Sequence, residues 1–138
     1  MRVKSKGLDH VAIVVRDLDA AIRLYRDTLG LELTQVEEVP EQQVTTAIFG
    51  RGMGRVELIC PTTADSGVAR FLEKRGEGLH HICLEVEDLE AALGALRAAG
   101  APLVDEVPRP GAGGARVAFV HPRGARGVLT ELREGPKD

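Results

Sequence analysis

The chain has no tryptophan, one tyrosine and three phenylalanines among 138 residues, so its interior must be aliphatic. It has no apolar run near the ~20 residues that cross a bilayer as a helix, and no membrane partner is expected. An excess of one charge is missing too: 18 basic and 21 acidic residues leave a net charge of -3. Without a basic tail, nucleic acid is not an expected partner either. Cysteine is confined to Cys60 and Cys83, each inside an apolar run and with no CxxC. That excludes a zinc knuckle and leaves buried free thiols or one disulfide, with free thiols in a reducing compartment preferred. Met1–Lys6 is not followed by a signal-type apolar segment, so a cytoplasmic location is expected. What is plentiful is glycine, 16 residues against a usual ~7%, which calls for many tight turns. Length and composition fit one soluble domain over residues 1–138.

The chain repeats itself. Residues 7–26, GLDHVAIVVRDLDAAIRLYR, align without gaps on residues 78–97, GLHHICLEVEDLEAALGALR, and nine of 20 positions are identical. Two copies in this length mean two modules rather than a solenoid. Each opens with an apolar strand, Val11–Val15 and Ile82–Val86, and continues into a helix capped by Asp17 or Asp88. Leu18, Ala21, Ile22 and Tyr25 form one helical stripe; Leu89, Ala92, Leu93 and Leu96 repeat it. Gly30 and Gly100 are the expected stops. Further strands are expected at 31–38, 44–50 and 55–60, and again at 102–107, 116–121 and 127–133. The modules run over about 7–60 and 78–133. The connector, 61–77, carries a short helix capped by Asp65 or Ser66, with Val68, Phe71 and Leu72 as its apolar face. The fold class is therefore α+β: two tandem βαβββ modules related by a pseudo-twofold, forming an open eight-stranded barrel-like sheet.

Charged residues inside apolar strands mark an occupied or wet face. Each module has one histidine and one glutamate at matching positions: His10 with Glu57, 47 residues apart, and His81 with Glu131, 50 apart. If a twofold brings the modules together, two imidazoles and two carboxylates form a suitable shell for a borderline divalent ion. The alternative is two satisfied core histidines and two edge-strand glutamates. The repeat weighs toward the metal. His80 adjoins His81 and must point the other way, while His121, before Pro122, suits a strand end. Glu85 shares a strand face with His81, but its repeat partner is Val14, so symmetry supports no fifth ligand.

At these residues a family becomes visible. Leu8-Asp9-His10-Val11-Ala12, Pro40-Glu41-Gln42, Val56-Glu57-Leu58, Asp65-Ser66, Leu79-His80-His81-Ile82 and Gly127-Val128-Leu129-Thr130-Glu131-Leu132 resemble the methylmalonyl-CoA epimerase family of the vicinal oxygen chelate superfamily. The resemblance spans about residues 7–133. It implies a divalent metal, commonly cobalt, held by His10, Glu57, His81 and Glu131, an acyl-CoA substrate and a homodimer. It further implies that Glu41 is a catalytic carboxylate, with Glu131 or a water serving the opposite face of the substrate. Gln43 stands where the family often has glycine, and Glu57 where it often has glutamine.

Matching Val44 to Val117 sets Glu41 opposite Gly114 in the Gly111-Ala112-Gly113-Gly114 loop. That loop is either a plain hairpin or a place of close approach for the acyl group or pantetheine arm. Two other readings use the same sequence. One is another enzyme of the superfamily, such as a lactoylglutathione lyase. The other is a metal-independent small-molecule binder, which the four matched ligand-type residues disfavour.

Overall fold

The apolar runs that open each module become the strands that carry the histidines. The computed structural model describes residues 2–136. By contacts the chain divides into two units, residues 10–80 and residues 1–9 with 81–138. The connector therefore belongs with the first module and the N-terminal segment with the second.

In the first unit the strands are β1 (Ser5–Val14, entering the unit at His10), β2 (Leu33–Val39), β3 (Val44–Phe49) and β4 (Arg55–Pro61). Their order is β2-β3-β4-β1, with β1 parallel to β4 and the other pairs antiparallel. Helix α1 (Leu18–Arg23) begins where the Asp17 side chain accepts from the Ala20 N–H at 3.0 Å. The expected stripe packs inward: Ile22 is buried, with Leu18, Ala21 and Tyr25 against Phe49 and Leu58. After Arg23 the helix departs from expectation and widens into a π-helical turn, Leu24–Thr28, closed by Leu29 N–H on the Leu24 carbonyl. In the connector, Ser66 rather than Asp65 supplies the cap of α2 (Gly67–Arg75), accepting from Ala69 N–H at 3.1 Å. Leu72, Val68 and Phe71 then cover Ala12, Val14 and Ile59.

The second unit has β5 (Gly78–Val86, entering at His81), β6 (Arg109–Pro110), β7 (Arg116–Val120) and β8 (Thr130–Glu134), in the order β5-β8-β7-β6. Again the first and last strands pair parallel and the rest antiparallel. Asp88 caps α3 (Leu89–Ala98) through Ala91 N–H at 3.1 Å. Leu89 and Leu93, 0% and 1% exposed, anchor it, each burial stabilising by roughly 1.5–3 kcal/mol. Val3 joins this core, and Glu87 N–H donates to the Lys4 carbonyl at 3.1 Å.

Two expected strands change. Residues 102–107 form only an isolated bridge from Leu103 to Val120, and the ladder is limited to β6. Pro102, Pro108 and Pro110 remove backbone donors there, and Asp105 instead accepts from Phe119 N–H at 2.9 Å. β8 starts at Thr130 instead of 127, because residues 122–128 close a compact turn with Gly127 N–H on the Pro122 carbonyl at 2.7 Å. No disulfide joins Cys60 and Cys83. Burial pushes the Cys60 thiol pKa up, and the charge of Asp17 adds to the shift.

Candidate active site

In the first unit, His10 and Glu57 sit on neighbouring parallel strands and share a sheet face. Register places Ala12 opposite Glu57 and His10 opposite Arg55, so the imidazole lies one step diagonally from the carboxylate. His10 Nδ1 is 2.8 Å from Glu57 Oε2, and both residues are buried, at 4% and 5% exposure.

The second unit repeats the arrangement. Cys83 lies opposite Glu131, and His81 Nε2 is 3.1 Å from Glu131 Oε1, with both residues buried. The His81 ring stands edge-on to Phe119 at 5.1 Å and 88°. The residues facing each glutamate, Ala12 and Cys83, are themselves repeat-related, small and fully buried. A bulky side chain there would crowd the pair.

The edge-strand alternative for the glutamates is corrected by this geometry. β4 lies between β3 and β1, and β8 between β7 and β5. A carboxylate in such a buried position is costly without a cation or a good donor. Each unit thus offers a buried imidazole nitrogen facing a buried carboxylate oxygen. That donor chemistry fits a divalent ion of the first transition row.

Glu41 stands in a different setting. Pro40–Gln42 forms a 3₁₀ turn just before β3, and the Glu41 side chain is exposed. Gln43, in place of the family's frequent glycine, adopts the left-handed region at φ 57°, ψ 44°. The turn therefore keeps a glycine-type backbone despite the substitution, and Gln43 N–H closes it on the Pro40 carbonyl at 3.1 Å. Beside it, Gln42 Nε2 is buried without a hydrogen-bond partner. The equivalent turn in the second unit is also 3₁₀, Ala112–Gly114, just before β7. A Cβ at Gly111 would lie 2.7 Å from Val117 Cγ1, so close packing requires glycine there.

The remaining candidates have settled partners. His80 meets Phe71 edge-on at 4.7 Å. His121 directly follows β7, and its Nδ1 accepts from Arg123 N–H at 3.1 Å. Glu85 accepts from Arg133 Nη1 at 2.7 Å and from Gly135 N–H at 3.0 Å. Arg133 also lies 3.7 Å from Asp9, a buried residue that sequence reasoning left unassigned. Burial would lower the Arg133 pKa, but the bond to Glu85 and the charge of Asp9 outweigh it and raise it. The signal was available in the spacing: Glu85 and Arg133 follow His81 and Glu131 by four and two residues, on the same faces.

The family model for the glyoxalase/bleomycin resistance protein/dioxygenase superfamily matches residues 9–119. An ethylmalonyl-CoA/methylmalonyl-CoA epimerase of Cereibacter sphaeroides is 43% identical over 129 residues, covering 92% of this chain and 96% of that protein. The crystal structure of methylmalonyl-CoA epimerase from Mycobacterium tuberculosis is 38% identical, with a TM-score of 0.93 over 99% of this chain and 93% of that one. A structure of methylmalonyl-CoA epimerase in complex with methylmalonyl-CoA and NH4+ is 36% identical, with a TM-score of 0.92 and 96% of both chains covered. These likenesses bear out the expected fold class, two βαβββ modules in the vicinal oxygen chelate fold that the family resemblance implied.

Proposed function

The chain belongs to the methylmalonyl-CoA epimerase family of the glyoxalase/bleomycin resistance protein/dioxygenase superfamily, and we propose that it interconverts the (R) and (S) forms of methylmalonyl-CoA. The observation that carries this reading is the duplicated buried pair, His10 with Glu57 and His81 with Glu131. In our reading the four residues hold one divalent ion, with cobalt the preferred metal. Held there, such an ion would supply Lewis-acid chemistry worth several kcal/mol, stabilising the negative charge that develops as the α-proton leaves.

Inversion then needs a proton acceptor on one face of that carbon and a donor on the other. Glu41 is the acceptor or donor on one side. Its exposed position on a short turn leaves the carboxylate open to an incoming substrate. Glu131, or a water, serves the other side; the His81 contact holds its carboxylate in place. One group takes the α-proton, a different proton is delivered from the opposite face, and exchange with water restores both groups, so the reaction is redox-neutral and needs no further reactant. The working protein is taken to be a cytoplasmic homodimer.

The test is solvent deuterium exchange. The metal-loaded protein in D2O should place deuterium at the α-carbon of methylmalonyl-CoA and leave the methylglyoxal–glutathione adduct unchanged. Turnover of that adduct without exchange would favour the lyase reading, and full activity after exhaustive chelation would remove the metal.

A further inference from the structure

We propose that Arg123 and Arg126, in the turn between β7 and β8, grip the phosphates at the nucleotide end of the acyl-CoA substrate. This inference rests on the epimerase reading above and adds to it the residues that hold the end of the substrate remote from the chemistry.

Fourteen arginines leave the sequence with no preferred phosphate ligand, but their partners in the folded chain remove most of them. Six meet carboxylates, among them Arg109 with Asp105, Arg116 with Glu90 and Arg133 with Glu85. Arg16 and Arg70 donate to backbone carbonyls, and Arg75 lies over the Phe71 ring. Arg23 lies within the field of Asp27, and Arg55 is engaged as well. Among the described residues this leaves Arg2, Arg123 and Arg126. The last two are exposed and three residues apart in one turn.

The surroundings favour an anion. Residues 107–130 contain four arginines and no acidic residue; Arg109 and Arg116 are met by Asp105 and Glu90 from outside that stretch, which leaves Arg123 and Arg126. Two like charges in one turn repel each other unless an anion joins them. A guanidinium fork matches phosphate oxygens better than a point charge does.

The turn is also built to hold a fixed shape. The Gly124, Ala125 and Gly127 amides close on the His121 and Pro122 carbonyls at 2.8, 3.0 and 2.7 Å, and the His121 ring accepts from Arg123 N–H. Arg126 is held at φ 58°, a conformation costly for a residue with a Cβ. The turn leads directly into β8, five residues before Glu131, and the Leu129 carbonyl accepts from the amide of Ile82, next to His81. The turn is thus tied, by chain and by backbone bond, to the strand ends that carry His81 and Glu131, and that end of the unit is where we place the phosphates.

The experiment compares the metal-loaded wild type with Arg123→Gln/Arg126→Gln on two substrates: methylmalonyl-CoA and methylmalonyl-pantetheine, which lacks the nucleotide phosphates. The double variant should raise KM for the CoA ester at least tenfold with kcat within about twofold. It should leave KM for the pantetheine ester unchanged and keep its metal content. Arg123→Lys/Arg126→Lys should recover part of the loss. An unchanged KM for the CoA ester, or an equal rise for both esters, overturns the proposal.

If the wild type turns over neither ester, the epimerase reading fails, and binding of 3′-phosphoadenosine diphosphate decides the grip. Binding by the wild type that is lost in the double variant supports it. Equal binding, or binding by neither, overturns it. Equal affinity of the wild type for inorganic phosphate and for the nucleotide would show a general anion site and overturn it as well.

Discussion

The two modules hold the same buried pair in different surroundings. In the first, the strand positions beyond the pair, Val14 and Ile59, are apolar and roofed by α2. In the second, the equivalent positions are Glu85 and Arg133, an ion pair joined by Asp9. The first module places the acidic turn Pro40–Gln42 ahead of its third strand; the second places the glycine turn Ala112–Gly114 there. Duplication thus supplies ligand-type residues twice, while divergence around them supplies an acid on one side only. Inversion needs a proton-transferring group at each face of the carbon, one protonated and one not, and the two modules offer different candidates for these roles.

The comparison can be broken most sharply at the acidic turn. Glu41→Gln should cut epimerisation by about 10²–10⁴-fold while metal content, read by elemental analysis, stays that of the wild type. Unchanged turnover would remove Glu41 from the chemistry. Next come the positions beyond the pairs. Arg133→Met removes the guanidinium that faces half-buried Glu85 and buried Asp9 and should destabilise by roughly 3–5 kcal/mol. Ile59→Ala, at the matching site of the first module, should cost about 2–4 kcal/mol by opening a cavity. Urea unfolding measures both, and a larger loss from Ile59→Ala would contradict the assignment of Arg133 as the hub of that cluster.

The turns give smaller effects. Gly111→Ala should destabilise by roughly 1–3 kcal/mol, since its Cβ would meet Val117. Gln43→Gly should be neutral or stabilise by up to about 1 kcal/mol, because glycine adopts positive φ without strain. In a thermal scan that is a rise of a few degrees. A fall would mean that the Gln43 side chain stabilises the turn.

Much of this was legible in the sequence, because the repeat doubled each signal. Asp17 and Asp88 read as caps and act as caps, and both apolar stripes bury as their spacing requires. Each histidine meets the glutamate assigned to it by position. What failed to show depended on backbone bonding that side chains do not encode. Leu24–Thr28 has the composition of ordinary helix, and nothing in it distinguishes i→i+5 from i→i+4 closure. The run at 102–107 has strand-like residues, but the prolines around it limit the ladder to β6. Glu85 looked isolated because its repeat partner is valine; its actual partner, Arg133, stands across β5 and β8, where matching the two repeats does not point.

The central claim is that both His–Glu pairs serve one cation. Titration of the chelated protein with Co2+, followed by calorimetry, should give one ion per chain for the wild type and none bound tightly by either His10→Ala or His81→Ala. A stoichiometry of two, or undiminished affinity in either variant, would contradict it.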